Sequence, residues 1–215
     1  ELEEVVVTAQ RRAQNINDVG IAITAFSDEA IRSFGLNNSA DIVLYTPGLV
    51  RSGQSGYSGK QIFQLRGVGL NTFSENQEGS VAVYQDDVYL APQSGSVLET
   101  YDLERIEVLR GPQGTLFGRS ATGGLVHFVS KRPTDDFEGN VGFEYGANDE
   151  RHVELAVSGP LNEVISARLS GAWNEHDGWL DNTIGPDQMG EERYAARGQL
   201  LVTPNDDIEF LVKIE

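Results

Sequence analysis

The chain has 215 residues with 24 glycines and no cysteine, and its 33 acidic and 16 basic side chains leave a net charge of −17. Without cysteine there is neither a disulfide framework nor a thiolate metal site, and the negative charge repels phosphate backbones, which disfavours nucleic acid as a partner. No stretch approaches the roughly 18–20 consecutive apolar residues of a transmembrane helix, a test that a barrel strand escapes.

The N-terminus, Glu1-Leu2-Glu3-Glu4, carries no charged-then-apolar leader and reads as a mature end. Glu4-Val5-Val6-Val7-Thr8-Ala9 follows as a β-branched run of high strand propensity. It suits either an extended segment that pairs with the edge strand of another protein or the first strand of the domain behind it. Ser27-Asp28-Glu29 through Gly35 has a capping serine, acids in the first turn and a terminal glycine, which predicts a short helix. A second is predicted over Ser39–Tyr45, stopped before Thr46-Pro47-Gly48. Strands are predicted at 19–25, 61–66, 81–85, 105–109 and 125–130, making a small mixed α+β domain.

Near Pro133-Thr134-Asp135-Asp136 the composition shifts, from a net charge of −4 over residues 1–133 to −13 over residues 134–215. Beyond it the apolar period is two. Phe137, Val141, Phe143 and Tyr145 oppose Glu138, Asn140 and Glu144; Val153, Leu155 and Val157 oppose His152, Glu154 and Ser158. Ile165, Ala167, Leu169 and Trp173, then Tyr194, Ala196, Leu200 and Val202, then Ile208, Phe210, Val212 and Ile214 continue the rhythm. Five strands in series are predicted, with tight turns at Pro160–Glu163 and Pro204–Asp207 and a long loop over 175–192. A transmembrane barrel has this layout, with Trp173 and Tyr194 placed for an aromatic girdle. A soluble antiparallel sheet with one wet face shows the same alternation, and burial of Phe137, Val141 and Phe143 would distinguish it.

Catalytic motifs are not assembled. The glycines of Gly111–Ser120 lack Walker spacing, with Gln at 113 and Arg at 119, and Arg66-Gly67-Val68-Gly69 lacks the third glycine of a dinucleotide fingerprint. His127, His152 and His176 stand apart without metal-ligand spacing. The acid pairs Asp86-Asp87 and Glu191-Glu192 point to opposite faces if they lie on strands. No metal, cofactor or enzymatic activity is read from these residues.

Leu103-Glu-Arg-Ile-Glu-Val-Leu-Arg-Gly-Pro-Gln-Gly-Thr-Leu-Phe-Gly118, continuing through Ala121-Thr-Gly-Gly-Leu-Val126 to Ser130-Lys-Arg-Pro133, resembles the plug signature of TonB-dependent receptors. Pro47-Gly48-Leu49, Gln64-Leu65-Arg66-Gly67 and Val83-Tyr-Gln-Asp-Asp-Val-Tyr89 match other plug segments in order. The resemblance implies an α+β plug domain followed by antiparallel transmembrane β-barrel strands, incomplete here: a TonB-box-like segment over 1–10, a plug over 11–133 and about five strands over 134–215. Barrels of this family have about 22 strands, so the chain reads as an N-terminal piece. It implies the outer membrane of a Gram-negative bacterium, contact with its lipid, and uptake of a scarce nutrient complex such as a ferric siderophore. It also implies that Glu4, Val5, Val6, Val7, Thr8 and Ala9 bind TonB and its inner-membrane energising complex. By position, apical loops would contact a small-molecule ligand, possible side chains being Arg51, Gln54, Tyr57, Asn71, Phe73 and Asn76. Arg66 and Arg110 are candidates for buried charge pairs with barrel acids, and Gly67, Gly111, Gly114, Gly118, Gly123 and Gly124 for turns and close packing against a barrel wall. The rival is a soluble periplasmic binding or signalling module with a plug-like fold.

Overall fold

The computed structural model describes residues 6–52, 62–70, 78–90, 98–185 and 187–215, and the chain divides into two units, Glu1–Ser130 and Lys131–Glu215.

In the first unit, β1 (Val6–Val7) pairs antiparallel with β2 (Gln14–Asn15). Next, β3 (Ile23–Ser27) runs directly into α1 (Asp28–Ser33). Ser27 Oγ caps the helix by accepting from the Ala30 N–H at 3.4 Å, and Arg32 reaches back to Asp28 at 2.7 Å. The strand predicted over 19–25 therefore begins later and ends on the helix cap. The segment expected as a second α-helix is a 3₁₀ turn, Asp41–Leu44. Its would-be cap is committed elsewhere, since Ser39 Oγ accepts from the Leu98 N–H at 2.9 Å. With Pro47 close behind, too few residues remain to propagate an α-helix.

The remaining elements are β4 (Leu49–Ser52), β5 (Ile62–Leu65), β6 (Val81–Gln85), β7 (Val88–Tyr89), β8 (Leu103–Arg110), α2 (Gly114–Phe117) and β9 (Gly124–Ser130). β4 and β5 form an antiparallel pair, while the main sheet has the order β3-β8-β9-β6-β7, with β6 and β9 parallel. Both faces of that sheet are covered. Phe26, Val81, Val83, Ile106, Val108, Val126 and Phe128 pack on one side with Ile31, Ile42 and Phe63. Ala82, Tyr84, Leu109 and Leu125 pack on the other with Val7, Ala9 and Phe117. Double burial explains why β6 and β9 read as near-continuous apolar runs.

The second unit is an antiparallel meander of β10 (Glu138–Tyr145), β11 (Arg151–Pro160), β12 (Ile165–His176), β13 (Glu191–Asn205) and β14 (Ile208–Ile214), each paired with the next. The turns over 161–164 and 206–207 share one end of the sheet, and the connections over 146–150 and 177–190 share the other. Pro204, expected in a turn, lies within β13. It falls where the β13–β14 register shifts between Val202 and Asn205, a place where its missing N–H is tolerated.

Candidate functional site

The N-terminal segment is docked, and a charged pair holds it. Val7 and Ala9 are buried in the second core cluster, and between them Thr8 meets β8. The Thr8 backbone N–H donates to Glu107 Oε1 at 2.7 Å, and the Thr8 hydroxyl approaches the same oxygen at 3.1 Å. Arg105 donates through Nε to Glu107 Oε1 at 2.7 Å and through Nη2 to Thr8 Oγ1 at 3.0 Å. Arg105 and Glu107 can act together because, two residues apart on β8, they share a face. After Thr8 the chain turns, its carbonyl accepting from the Arg11 N–H at 2.8 Å, and the Arg11 guanidinium lies 5.2 Å from the centre of the Phe117 ring.

Glu107 is fully buried, and its Oε2 has no hydrogen-bond partner among the described residues. Its cross-strand neighbour is His127, whose Nε2 accepts from the Asp87 N–H at 3.3 Å. Burial, opposed by the nearby Glu107 charge, holds the His127 imidazole below its ordinary pKa. Glu107 thus stands between His127 across the ladder and Arg105 on its own strand.

Of the TonB-box-like residues, Val6, Val7, Thr8 and Ala9 are placed here, while Glu4 and Val5 lie outside the described residues. Of the loop residues proposed to meet a ligand, Gln54, Tyr57, Asn71, Phe73 and Asn76 lie outside them too. Arg51 is corrected. It is a strand residue of β4, exposed and opposite Phe63, because Leu49 and Leu65 anchor that pair in the core.

Arg110 is half-buried, donating to Thr24 Oγ1 through Nη2 and to the Pro47 carbonyl through Nε at 3.4 Å. Burial, then the neighbouring Arg66 charge, lowers its pKa. Arg66 occupies a left-handed turn position with φ 53° beside Gly67. Gly111 and Gly118 have positive φ, and a Cβ on Gly114 would meet nothing within 4 Å. Gly123 and Gly124, expected to allow close packing against a barrel wall, have close neighbours in the plug sheet. A Cβ on Gly124 would lie 2.3 Å from the Leu109 carbonyl oxygen and 2.6 Å from Leu65 Cδ2, and one on Gly123 would meet Val68. The neighbours they admit belong to the first unit itself.

The sheet of the second unit inverts the rule for a soluble protein. Phe137, Val141 and Phe143 are 81%, 82% and 67% exposed, whereas Ser158, Ser170 and Arg197 are 2%, 2% and 1% exposed. Cross-strand register lines up Phe143, Val153, Trp173 and Tyr194 toward one end, and Ile165, Val202 and Phe210 toward the other. On the opposite face Glu138, Ser158, Arg168 and Gln199 form a polar row in which Arg168 Nη1 donates to Glu138 Oε1 at 2.6 Å. An outward apolar band edged by aromatics over an inward polar face is the pattern of a strand in lipid.

The family model for the TonB-dependent receptor plug domain matches residues 15–125. The chain belongs to the TonB-dependent receptor plug family. The plug is the first unit. Among curated relatives, the ferripyoverdine receptor of Pseudomonas aeruginosa is 30% identical over 179 residues, covering 82% of this chain and 21% of that protein. The ferrioxamine B receptor of Salmonella typhimurium is 34% identical over 181 residues, covering 81% of this chain and 24% of that protein. The chain therefore spans about a fifth to a quarter of the length of these relatives. Among solved structures, the ferric yersiniabactin uptake receptor of Yersinia pestis superposes with a TM-score of 0.82 at 25% identity, over 90% of this chain and 30% of that one. The pyoverdine outer membrane receptor of P. aeruginosa shares the fold, with a TM-score of 0.80 at 23% identity over 97% of this chain and 29% of that one. The fold is a plug followed by barrel strands, with the five-stranded sheet open among the described residues.

Sequence reasoning missed Arg105 and Glu107 as functional candidates. The available signal was a pair of opposite charges two residues apart on a strand whose other buried residues are Leu, Ile and Val, a pattern that buries charge only with a partner.

Proposed function

We propose that the full-length protein is a TonB-dependent receptor that takes up a ferric siderophore, with residues 4–9 as the segment gripped by TonB. The observation that carries this reading is one chain joining a domain of the plug family to a sheet with its apolar face outward and its polar face buried. Such a protein resides in the outer membrane of a Gram-negative bacterium, and its cargo crosses chemically unchanged. The cargo class is supported by the relatives, which are named as ferripyoverdine and ferrioxamine B receptors. Arg51 and the loop residues Gln54, Tyr57, Asn71, Phe73 and Asn76 are the proposed ligand contacts. A soluble signalling module is disfavoured, because Phe137, Val141 and Phe143 form no core.

The test uses the full-length gene in a strain lacking its own receptor, supplied with radioactive iron on a panel of siderophores. Val7→Pro removes a backbone N–H and fixes φ, so the segment cannot pair as a strand, while looser docking would only make it more available. We expect the parent to import iron from at least one siderophore, and the variant to bind that siderophore at the cell surface with import reduced to the background of the deletion strain. Full import by Val7→Pro would remove the role assigned to residues 4–9. No import by the parent from any ferric chelate would remove the cargo class.

A further inference from the structure

We propose that residues 131–136 are a strap fixed across the polar face of the second unit, an anchor and not a hinge, so that the point where the plug chain joins the sheet stays in place while cargo is imported; the statement about import rests on the function proposed above.

The strap is irregular backbone between β9 and β10, yet it is bonded to the sheet along most of its length. Gln199 Nε2 donates to the Lys131 carbonyl at 2.7 Å, the Thr134 N–H donates to Ser158 Oγ at 2.9 Å, and Ser166 Oγ donates to Asp135 Oδ1 at 3.1 Å. Arg132 pairs with Glu209 at 2.9 Å. β11, β12, β13 and β14 therefore each supply a partner. Ser158, Ser166 and Gln199 are buried, so these contacts belong to the covered polar face. The Arg132–Glu209 pair is exposed at both ends and adds little.

The strap is also stiff in itself. Pro133 is buried and fixes its own φ, and it restricts Arg132 before it. The Thr134 hydroxyl donates to the Asp136 carbonyl at 2.9 Å. The sequence Lys131-Arg-Pro-Thr-Asp-Asp136 holds no glycine or serine, the residues that make a linker flexible. Just before it, Ser130 is held within the first unit by Asp86, which accepts from its N–H at 2.8 Å and from its hydroxyl at 2.7 Å. A hinge needs residues free to absorb a change in φ and ψ, whereas here the bonds begin on both sides of the unit boundary. Each bond alone contributes modestly, but lifting the strap breaks those to Lys131, Thr134 and Asp135 together. With this end of the plug chain fixed, a passage for cargo comes from rearrangement of residues before Ser130 and not from departure of the plug as a free body.

The experiment locks the strap. The Oγ atoms of Thr134 and Ser158 lie 2.9 Å apart, so cysteines at both positions can bridge with little backbone movement. Thr134→Cys with Ser158→Cys is placed in the full-length protein freed of other cysteines. Free thiols are read by maleimide labelling of the outer-membrane protein, and transport by import of radioactive iron on the siderophore panel. We expect the disulfide to form in most molecules without added oxidant, and the locked protein to import within about twofold of its rate after reduction. Import that falls about tenfold or more in the locked protein and returns on reduction would overturn the anchor, since the strap would then have to lift in every cycle. Thiols that stay free in most molecules would overturn it as well, because the two positions would not be held together. A parent that imports no iron removes the function proposed above and leaves the disulfide yield to decide the strap. If this pair prevents recovery of folded protein, Asp135→Cys with Ser166→Cys, joined by a short thiol-reactive cross-linker, takes its place.

Discussion

Gly124→Ala is expected to destabilise the plug sheet by about 3–5 kcal/mol, the sum of backbone strain and overpacking. Gly124 opens β9 opposite Arg110 with φ at 143°, a conformation L side chains rarely adopt. Its Cβ would meet the Leu109 carbonyl oxygen at 2.3 Å, and a backbone oxygen within a sheet ladder cannot move aside as a side chain can. Leu65 Cδ2 closes the other side at 2.6 Å. Relief requires β9 to separate from β8, the strand that carries Arg105 and Glu107. The measurement is hydrogen exchange of the β8 and β9 amides in the full-length protein, where protection should fall by two or more orders of magnitude, a tenfold loss being about 1.4 kcal/mol. Unchanged protection would show that the close approach at Gly124 is not obligatory. Gly114→Ala, with open space around its Cβ, is the matched control.

Val141→Arg separates a membrane wall from a soluble sheet by magnitude. Val141 is 82% exposed on β10, between Phe143 and Gly139 on the outward face. On a soluble protein an exposed Val→Arg change lies within about ±0.5 kcal/mol. On a lipid-facing barrel position near the bilayer midplane the same change costs about 2–4 kcal/mol. We expect the full-length Val141→Arg protein to show that loss in folding titrations into lipid vesicles. Glu144→Arg, on the polar face near the strand end, should show much less. Equal and negligible effects at both positions would contradict the assignment of the outward face.

Much of this architecture was legible because it rests on local periodicity. The two-residue alternation from Phe137 to Ile214 became five strands, since strands with one apolar row must repeat it wherever that row meets one environment. Ser27, Asp28 and Glu29 marked α1 because capping is settled within one turn. Alternation could not say which row faced inward, as lipid and a soluble core reward the same pattern; exposure of the apolar row and membership of the plug family resolved it. The short pairings β1–β2, β4–β5 and β6–β7 went unread. One strand of each pair lies in a run with strand signal, but the partners Gln14–Asn15, Leu49–Ser52 and Val88–Tyr89 are too short to show a period, and tertiary contacts bring them into place. The contacts at Thr8 were hidden for a related reason. Thr8, Arg105 and Glu107 look ordinary in sequence, and they meet only once β8 is buried on both faces and residues 7–9 fold onto it.

The most direct test of the central claim, that this plug is joined to an outer-membrane barrel wall, is fractionation of the full-length product followed by electrophoresis with and without heating. A protein recovered from the outer membrane only with detergent, whose migration shifts on heating as a folded barrel unfolds, is the predicted result. A product released with the periplasmic contents that migrates identically before and after heating would contradict the account.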